Sequence, residues 1–143
     1  MNALSDSADR LYDALERACA LYTTASSKPL RPSRTPLLAP VVPAVWLSIP
    51  TVSFASPMFQ SVWEITAAVD GDQPVQVDAL YEIVSYVWDE VAREQGFNPE
   101  LIQPTTIAVQ GSEGSQSVLG AVISVTHVIA ARTLCPPVMA SAT

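Results

Sequence analysis

The chain has 143 residues, the usual size of a single domain with one hydrophobic core. Charged residues make up 15% of it and apolar residues 49%, whereas an ordinary soluble domain has about 25% charged residues. The net charge of −7 has the wrong sign for contacts with phosphates, which argues against stable DNA or RNA binding. The apolar excess indicates that some apolar surface is buried outside a private core.

The distribution of charge and proline argues against a leader and a membrane anchor. Residues 1–17 hold six charged side chains and lack the apolar run of a secretory leader, so the chain is expected to start in the cytosol. The uncharged stretch at 35–63 contains five prolines, which a membrane-spanning helix would not tolerate well. The apolar run at 118–131 is too short to span a bilayer.

The first element in chain order is a helix followed by an extended arm. Apolar residues from Leu4 to Tyr22 recur at alternating steps of four and three, which places them on one helical stripe. Between residues 23 and 43 this period disappears and Thr, Ser and Pro dominate, which is typical of an arm or linker.

Two alternating segments then predict neighbouring strands. Residues 44–49 lie between two prolines, with Val45, Leu47 and Ile49 on one face and Trp46 on the other. Residues 61–69 alternate in the same way and stop at Asp70-Gly71-Asp72, a strong turn signal.

The second half of the chain predicts one helix and two strands. A broad apolar stripe from Val77 to Val91 lies opposite acidic residues, as in a helix that packs on a sheet. Residues 105–110 are β-branched, and a glycine-rich turn leads from them into the apolar segment 118–131.

The predicted fold is therefore α+β, in the order helix-strand-strand-helix-strand-strand. It is a mostly antiparallel four-stranded sheet with two helices packed on one face, and it forms a single domain over residues 1–132. The proline-rich arm at 23–43 belongs to this domain, and residues 133–143 form a C-terminal tail without a period.

The last predicted strand is apolar on both faces. Its core face holds Leu119, Ala121, Ile123, Val125 and Ile129, and its opposite face holds Val118, Val122 and Val128. A strand that is apolar on both sides needs cover on both sides, and two helices cover only one. We therefore expect a neighbouring chain to cover the other face.

The only basic cluster consists of Lys28, Arg31 and Arg34 on the proline-rich arm. Because proline keeps this segment extended, the three side chains could dock an acidic partner. The alternative is a tether whose charges only keep it soluble, and the sequence favours neither interpretation.

No pattern of residues predicts a catalytic, cofactor or metal site. His127 is the only histidine and falls in an apolar strand, so a structural or surface role is expected. The turn at 70–72 lacks the later oxygen ligands of a calcium loop, and residues 111–117 lack the lysine of a phosphate loop.

The remaining reactive side chains also have ordinary interpretations. Cys19 and Cys135 lie far apart without a CxxC spacing, so both are predicted to be reduced structural thiols. Asp89 and Glu90 diverge by about 100° around a helix, so a solvated helix face is favoured over a catalytic carboxylate pair.

The order of elements resembles that of tail terminator proteins from long-tailed bacteriophages, especially those that infect actinobacteria. The segment 43–50 (PAVWLSIP) leading into 61–65 (SVWEI) carries most of this resemblance. The similarity covers roughly residues 4–132 and is a pattern of elements, without a catalytic signature.

This resemblance implies a structural virion protein and no enzyme activity. Family members form a ring, usually of six copies, that caps the tail tube and presents a surface to the head connector. The implied partners are other copies of the chain, the tail tube protein and a head-closure or connector protein. The implied location is the neck or top of the tail of the virion, after synthesis in the cytoplasm of the host bacterium.

The resemblance gives the acidic composition a function and leaves two alternatives open. An acidic lumen would let genomic DNA pass through a ring without gripping it. A head-closure or connector adaptor of the phage neck has a similar small fold. A small cytosolic enzyme is the alternative of another class, and only His127 and scattered carboxylates could serve it.

The interface residues predicted for such an assembly come from the arm and from the sheet's second face. No catalytic, cofactor-binding or metal residues are predicted. The predicted interface residues are Lys28, Arg31, Arg34, Trp46, Val118, Val122 and Val128.

Overall fold

The computed structural model describes residues 3–35, 42–55, 57–71, 73–111 and 114–130, and it places two helices against a six-stranded sheet. The helices are α1 (Ala3–Ser26) and α2 (Pro74–Arg93). The strands are β1 (Pro32–Ser33), β2 (Ala44–Leu47), β3 (Thr51–Ala55), β4 (Met58–Ala68), β5 (Phe97–Gly111) and β6 (Gly114–Ala130).

The sheet has the strand order β1-β2-β4-β6-β5, with β3 paired to β4. All pairs are antiparallel except β1 with β2, which is parallel. Because β6 pairs with β4 from Met58 to Ala68, β2 and β3 must share the other edge of β4. One side of the sheet therefore ends in β1 and β3, and the other side ends in β5.

The α+β class and the two helices are confirmed, but the four-stranded antiparallel sheet is wrong. β1 has two residues, too few to show a period, and β3 lies between Pro50 and Pro57. β5 begins at Phe97, eight residues before the predicted strand, and contains Pro99 and Pro104. An edge strand tolerates these prolines because half of its N–H groups face away from the sheet.

One extra residue between β2 and β3 shifts the inside-outside alternation of this segment. Leu47 pairs with Ile65 and Thr51 pairs with Val62. The four residue steps from Leu47 to Thr51 therefore lie opposite only three steps of β4. A bulge of this kind moves the residues after it to the opposite face. Ile49 was predicted to share the core face of Val45, but it is 81% exposed.

The hydroxyl of Ser48 completes the backbone pairing at this bulge. The N–H of Ser48 donates to the carbonyl oxygen of Glu64 at 2.9 Å, and the N–H of Glu64 donates to Ser48 Oγ at 3.0 Å. The side chain thus replaces a missing backbone acceptor, so the break between β2 and β3 leaves no unmet donor at Glu64.

The hydrophobic core lies between the helices and one face of the sheet, called here the inner face. Each fully buried Leu, Ile or Val contributes about 1.5–3 kcal/mol relative to an exposed position. The largest buried side chains include Leu11 and Leu15 of α1, Ile83 and Val87 of α2, and Ile65, Ile123 and Val125 of the sheet.

The part of the arm that the structure describes is docked on the domain. α1 continues to Ser26, and the N–H of Leu30 donates to Thr23 Oγ1 at 3.1 Å while its side chain is buried. β1 then pairs with Val45 and Trp46. Residues 36–41 of the predicted arm and the predicted tail at 133–143 lie outside the described residues.

A charged cluster joins α1 to α2. Arg17 Nε lies 3.2 Å from Glu90 Oε2, and Arg17 also donates to Glu94 at 2.7 Å. Arg93 lies 3.3 Å from the other oxygen of Glu90, whose side chain is only 8% exposed. The prediction of a solvated face is therefore wrong for Glu90, whereas Asp89 is exposed.

Candidate subunit interface

His127 is built into the fold as a structural residue. Its ring stacks on Phe97 with centroids 4.2 Å apart, and its Nδ1 lies 2.9 Å from the carbonyl oxygen of Gly96. Ser61 faces it on β4, but the Ser61 hydroxyl donates to the backbone oxygen of His127 at 3.0 Å and accepts from Trp63 Nε1 at 3.1 Å. The pair therefore lacks the hydroxyl-to-imidazole hydrogen bond of an activated nucleophile.

The other polar and thiol groups that drew attention in the sequence also have local structural roles. Gly71 has a φ of +107°, the conformation expected for the predicted turn, and Asp72 lies outside the described residues. Burial raises the pKa of the Cys19 thiol to about 12, so it stays protonated at neutral pH. Cys135 lies outside the described residues.

Two searches of the described ranges complete this picture. No group of three or more His, Cys, Asp or Glu side chains is arranged there to hold a metal ion. None of the helices in those ranges combines the length and the apolar character needed to cross a bilayer.

The outer face of the sheet, which carries no helix, is apolar mainly at one end. Trp46 and Val118 belong to one small cluster there and are only 8% and 4% exposed. These two predicted interface residues are therefore buried within their own chain. Val122 is half-buried, and Val128 is 51% exposed at the far end of β6.

Polar side chains interrupt the outer face between these two ends. Glu64 is exposed there, and Ser124 lies opposite it on β6. Thr126 donates its hydroxyl hydrogen to Glu100 Oε1 at 2.8 Å. The three valines predicted a partly apolar face, and the polar residues between them leave Val128 and, opposite Ser124 on β5, the 48% exposed Leu101 as separate exposed apolar side chains.

A groove with apolar walls lies at the β5 side of the sheet, between α2 and β5, and is called here the α2–β5 groove. It has a volume of about 500 Å³, and Gly120 and Ala121 form part of its wall. Tyr81 is 65% and Ile102 43% exposed at this groove. A shallower continuation reaches Trp88 and Asp89, and the other apolar residues of the main groove are Val77, Leu80, Val84, Pro104 and Leu119.

An acidic stripe follows the α2–β5 groove along α2. Asp78, Glu82 and Asp89 are spaced four and seven residues apart, so they lie on one side of the helix. All three are exposed, and none forms an ion pair within the described ranges. The like charges of Asp78 and Glu82 repel each other at a cost of about 0.2–0.5 kcal/mol.

The opposite side of the sheet, called here the β1–β3 edge, carries the basic cluster. Lys28 and Arg31 are exposed and have no ion-pair partner in the described part of the chain. Arg34 forms an ion pair with Asp9 and lies over the Tyr12 ring, 5.9 Å from its centroid. The predicted cluster is therefore divided: two cations are available to a partner and the third binds α1.

The β1–β3 edge also carries exposed apolar side chains. Ile49 is 81% exposed, and it borders a shallow groove that Arg34 also lines. Phe54 of β3 is 59% exposed and contacts Phe59 with ring centroids 5.0 Å apart. Met58, next to the turn that joins β3 to β4, is 38% exposed.

The α2–β5 groove was missed by reasoning from the sequence, because its walls come from segments that are adjacent only in the folded chain. Two signals were present in the sequence. Asp78 and Glu82 place like charges four residues apart, and Tyr81 adds a large aromatic side chain beside them.

A scan against protein-family models matches no family, and a search of curated proteins finds no relative.

Proposed function

We propose that this chain is a structural virion protein, the tail terminator of a long-tailed bacteriophage. Copies of the chain form a ring, a hexamer as is usual in the family, which caps the tail tube and provides the surface for joining the head. Its partners are other copies of itself, the tail tube protein and a head-closure or connector protein of the neck.

The observation that supports self-association most strongly is the location of exposed apolar side chains on two opposite sides of the sheet. Ile49 and Phe54 lie at the β1–β3 edge, and Tyr81 and Ile102 lie at the α2–β5 groove. A ring subunit needs two different contact surfaces that face its two neighbours. A domain that works alone gains nothing from exposing large apolar side chains on both sides.

The net charge is consistent with a ring through which DNA passes. Seven excess negative charges per copy repel phosphates, so the duplex slides through the lumen without being held.

The proposal is tested by removing the gene from the genome that encodes this chain and imaging the resulting particles by electron microscopy. We expect tail tubes of irregular length without attached heads, because nothing stops tube growth. Tails of normal length that lack heads would instead favour a head-closure or connector adaptor. Intact virions without the protein would contradict both assembly functions.

A further inference from the structure

We propose that neighbouring copies meet head to tail, with the β1–β3 edge of one copy docked in the α2–β5 groove of the next. This contact rests on the proposed function in one respect, that copies of the chain associate. It adds which surfaces meet, which charges face each other and that every copy has the same orientation around the ring.

The apolar parts of the two surfaces match in length. Ile49 lies just before β3 and Phe54 lies within it, five residues apart, so at most about 17 Å of extended chain separates them. The groove and its continuation follow α2 from Val77 to Asp89, twelve residues that span about 18 Å at the rise of a helix. Docking would therefore cover the exposed apolar side chains of both surfaces together.

Both surfaces also carry exposed charges, and these are opposite in sign. The cations are Lys28 and Arg31, which precede β1, and the anions are the acidic stripe of Asp78, Glu82 and Asp89; none of them forms an ion pair within the described ranges. Cations placed near Asp78 and Glu82 would also relieve the repulsion between these two carboxylates. Two chains that each carry a net charge of −7 repel, so a contact between patches of opposite sign directs their association.

The same charges disfavour the symmetric alternatives. Two β1–β3 edges face to face would bring Lys28 and Arg31 against like charges, and two grooves would bring acidic stripes together. Like charges opposed across an interface cost several kcal/mol. The favoured contact is therefore between unlike surfaces, and repetition of such a contact produces a closed ring or an open filament.

Charge reversal tests this contact with exposed residues whose replacement leaves the core intact. The edge variant combines Lys28→Glu with Arg31→Glu, and the groove variant combines Asp78→Lys with Glu82→Lys. Each alone should raise the apparent Kd between copies about tenfold or more, measured by light scattering after size exclusion. The control, Asp13→Lys with Glu16→Lys, reverses two exposed acids of α1 and should leave the assembly unchanged.

Mixing the variants distinguishes the head-to-tail contact from general repulsion. An equimolar mixture should assemble again with the two variants alternating, because the intact edge docks in the intact groove and the acidic edge docks in the basic groove. The quadruple variant, with both surfaces reversed, should assemble again because its charges are once more complementary.

Three results would overturn the contact: reversal variants that assemble like the unaltered chain, a mixture that does not assemble, or an unaltered chain that stays monomeric. The proposed function is judged separately by tail length. Reversal variants that assemble normally while the gene deletion deregulates tail length would refute the contact and keep the function. The predicted mixing behaviour together with unaffected tails would keep the contact and refute the function.

Discussion

The charged side chains between the two helices differ from those at the two sides of the sheet in whether they form ion pairs. Between α1 and α2, Arg17 binds both Glu90 and Glu94, and Arg93 holds the second oxygen of Glu90. At the β1–β3 edge Lys28 has no such partner within the described ranges. The comparison suggests that paired charges stabilise the single chain, whereas exposed unpaired charges are available to another chain.

The largest expected difference in the free energy of unfolding is between removing an apolar side chain of the core and removing one at an edge of the sheet. Ile123→Ala removes a fully buried side chain and should lower the free energy of unfolding by about 2–5 kcal/mol. Phe54→Ala removes one that is 59% exposed together with its contact to Phe59, and should lower it by only about 0.5–1.5 kcal/mol. Urea unfolding of both variants measures this difference, and equal losses would mean that Phe54 belongs to the fold.

The next effect should separate the two groups of charges. Arg17→Ala removes a donor from the buried Glu90 carboxylate and should lower the free energy of unfolding by about 1–3 kcal/mol. Lys28→Ala removes an exposed, unpaired cation and should change it by less than about 0.5 kcal/mol. If urea titrations gave a larger loss for Lys28→Ala, the distinction between paired and available charges would fail.

A smaller effect should appear in the pH dependence of the helix contact. The hydrogen bond from Arg17 holds the pKa of Glu94 below its ordinary value, against the opposing effect of burial. A lowered pKa stabilises the fold above the unfolded pKa, and this stabilisation is lost as the pH falls through the folded pKa. Glu94→Gln should therefore cost up to about 1 kcal/mol at neutral pH and nothing in strong acid.

Urea unfolding of the Glu94→Gln variant and the unaltered chain across the acidic range measures this difference. Asp13→Asn is the control, because Asp13 is exposed and forms no ion pair in the described ranges. A stability difference for Glu94→Gln that stays constant from neutral to strongly acidic pH would show that its ionisation does not matter.

The smallest effect concerns the reactivity of the core thiol and not stability. Because burial raises the pKa of Cys19 to about 12, a disulfide reagent at neutral pH should not modify it in the folded chain. The measurement uses a Cys135→Ser variant, so that every signal comes from Cys19, with the urea-unfolded chain as the positive control. Rapid labelling without denaturant would show that this part of the core opens.

The sequence predicted the elements whose apolar periods are long and local. α1, α2 and most of β4 and β6 were located in this way, because side chains on one face of an element leave a regular spacing. β1 is too short for a period, and prolines lie around β3 and within β5, where no strand was predicted before residue 105. The shift of alternation between β2 and β3 comes from one extra residue between paired strands, and periodicity alone does not place such a residue.

Only one of the two surfaces of the candidate interface could be predicted from the sequence, for a physical reason. Lys28 and Arg31 attracted attention as a basic cluster within one segment. The groove that we propose as their partner surface requires α2 and β5 to lie side by side, a tertiary relation without a local signal. Burial of Trp46 and Val118 likewise depends on which strands become neighbours on the outer face.

The most direct test of the central claim is the mass of the unaltered chain in solution, measured by light scattering over a wide range of concentrations. Contact between two unlike surfaces that closes into a ring predicts one assembly, a fixed multiple of the 15.3 kDa chain, whose mass stays constant once formed. A chain that remains at 15.3 kDa at every concentration would contradict the account.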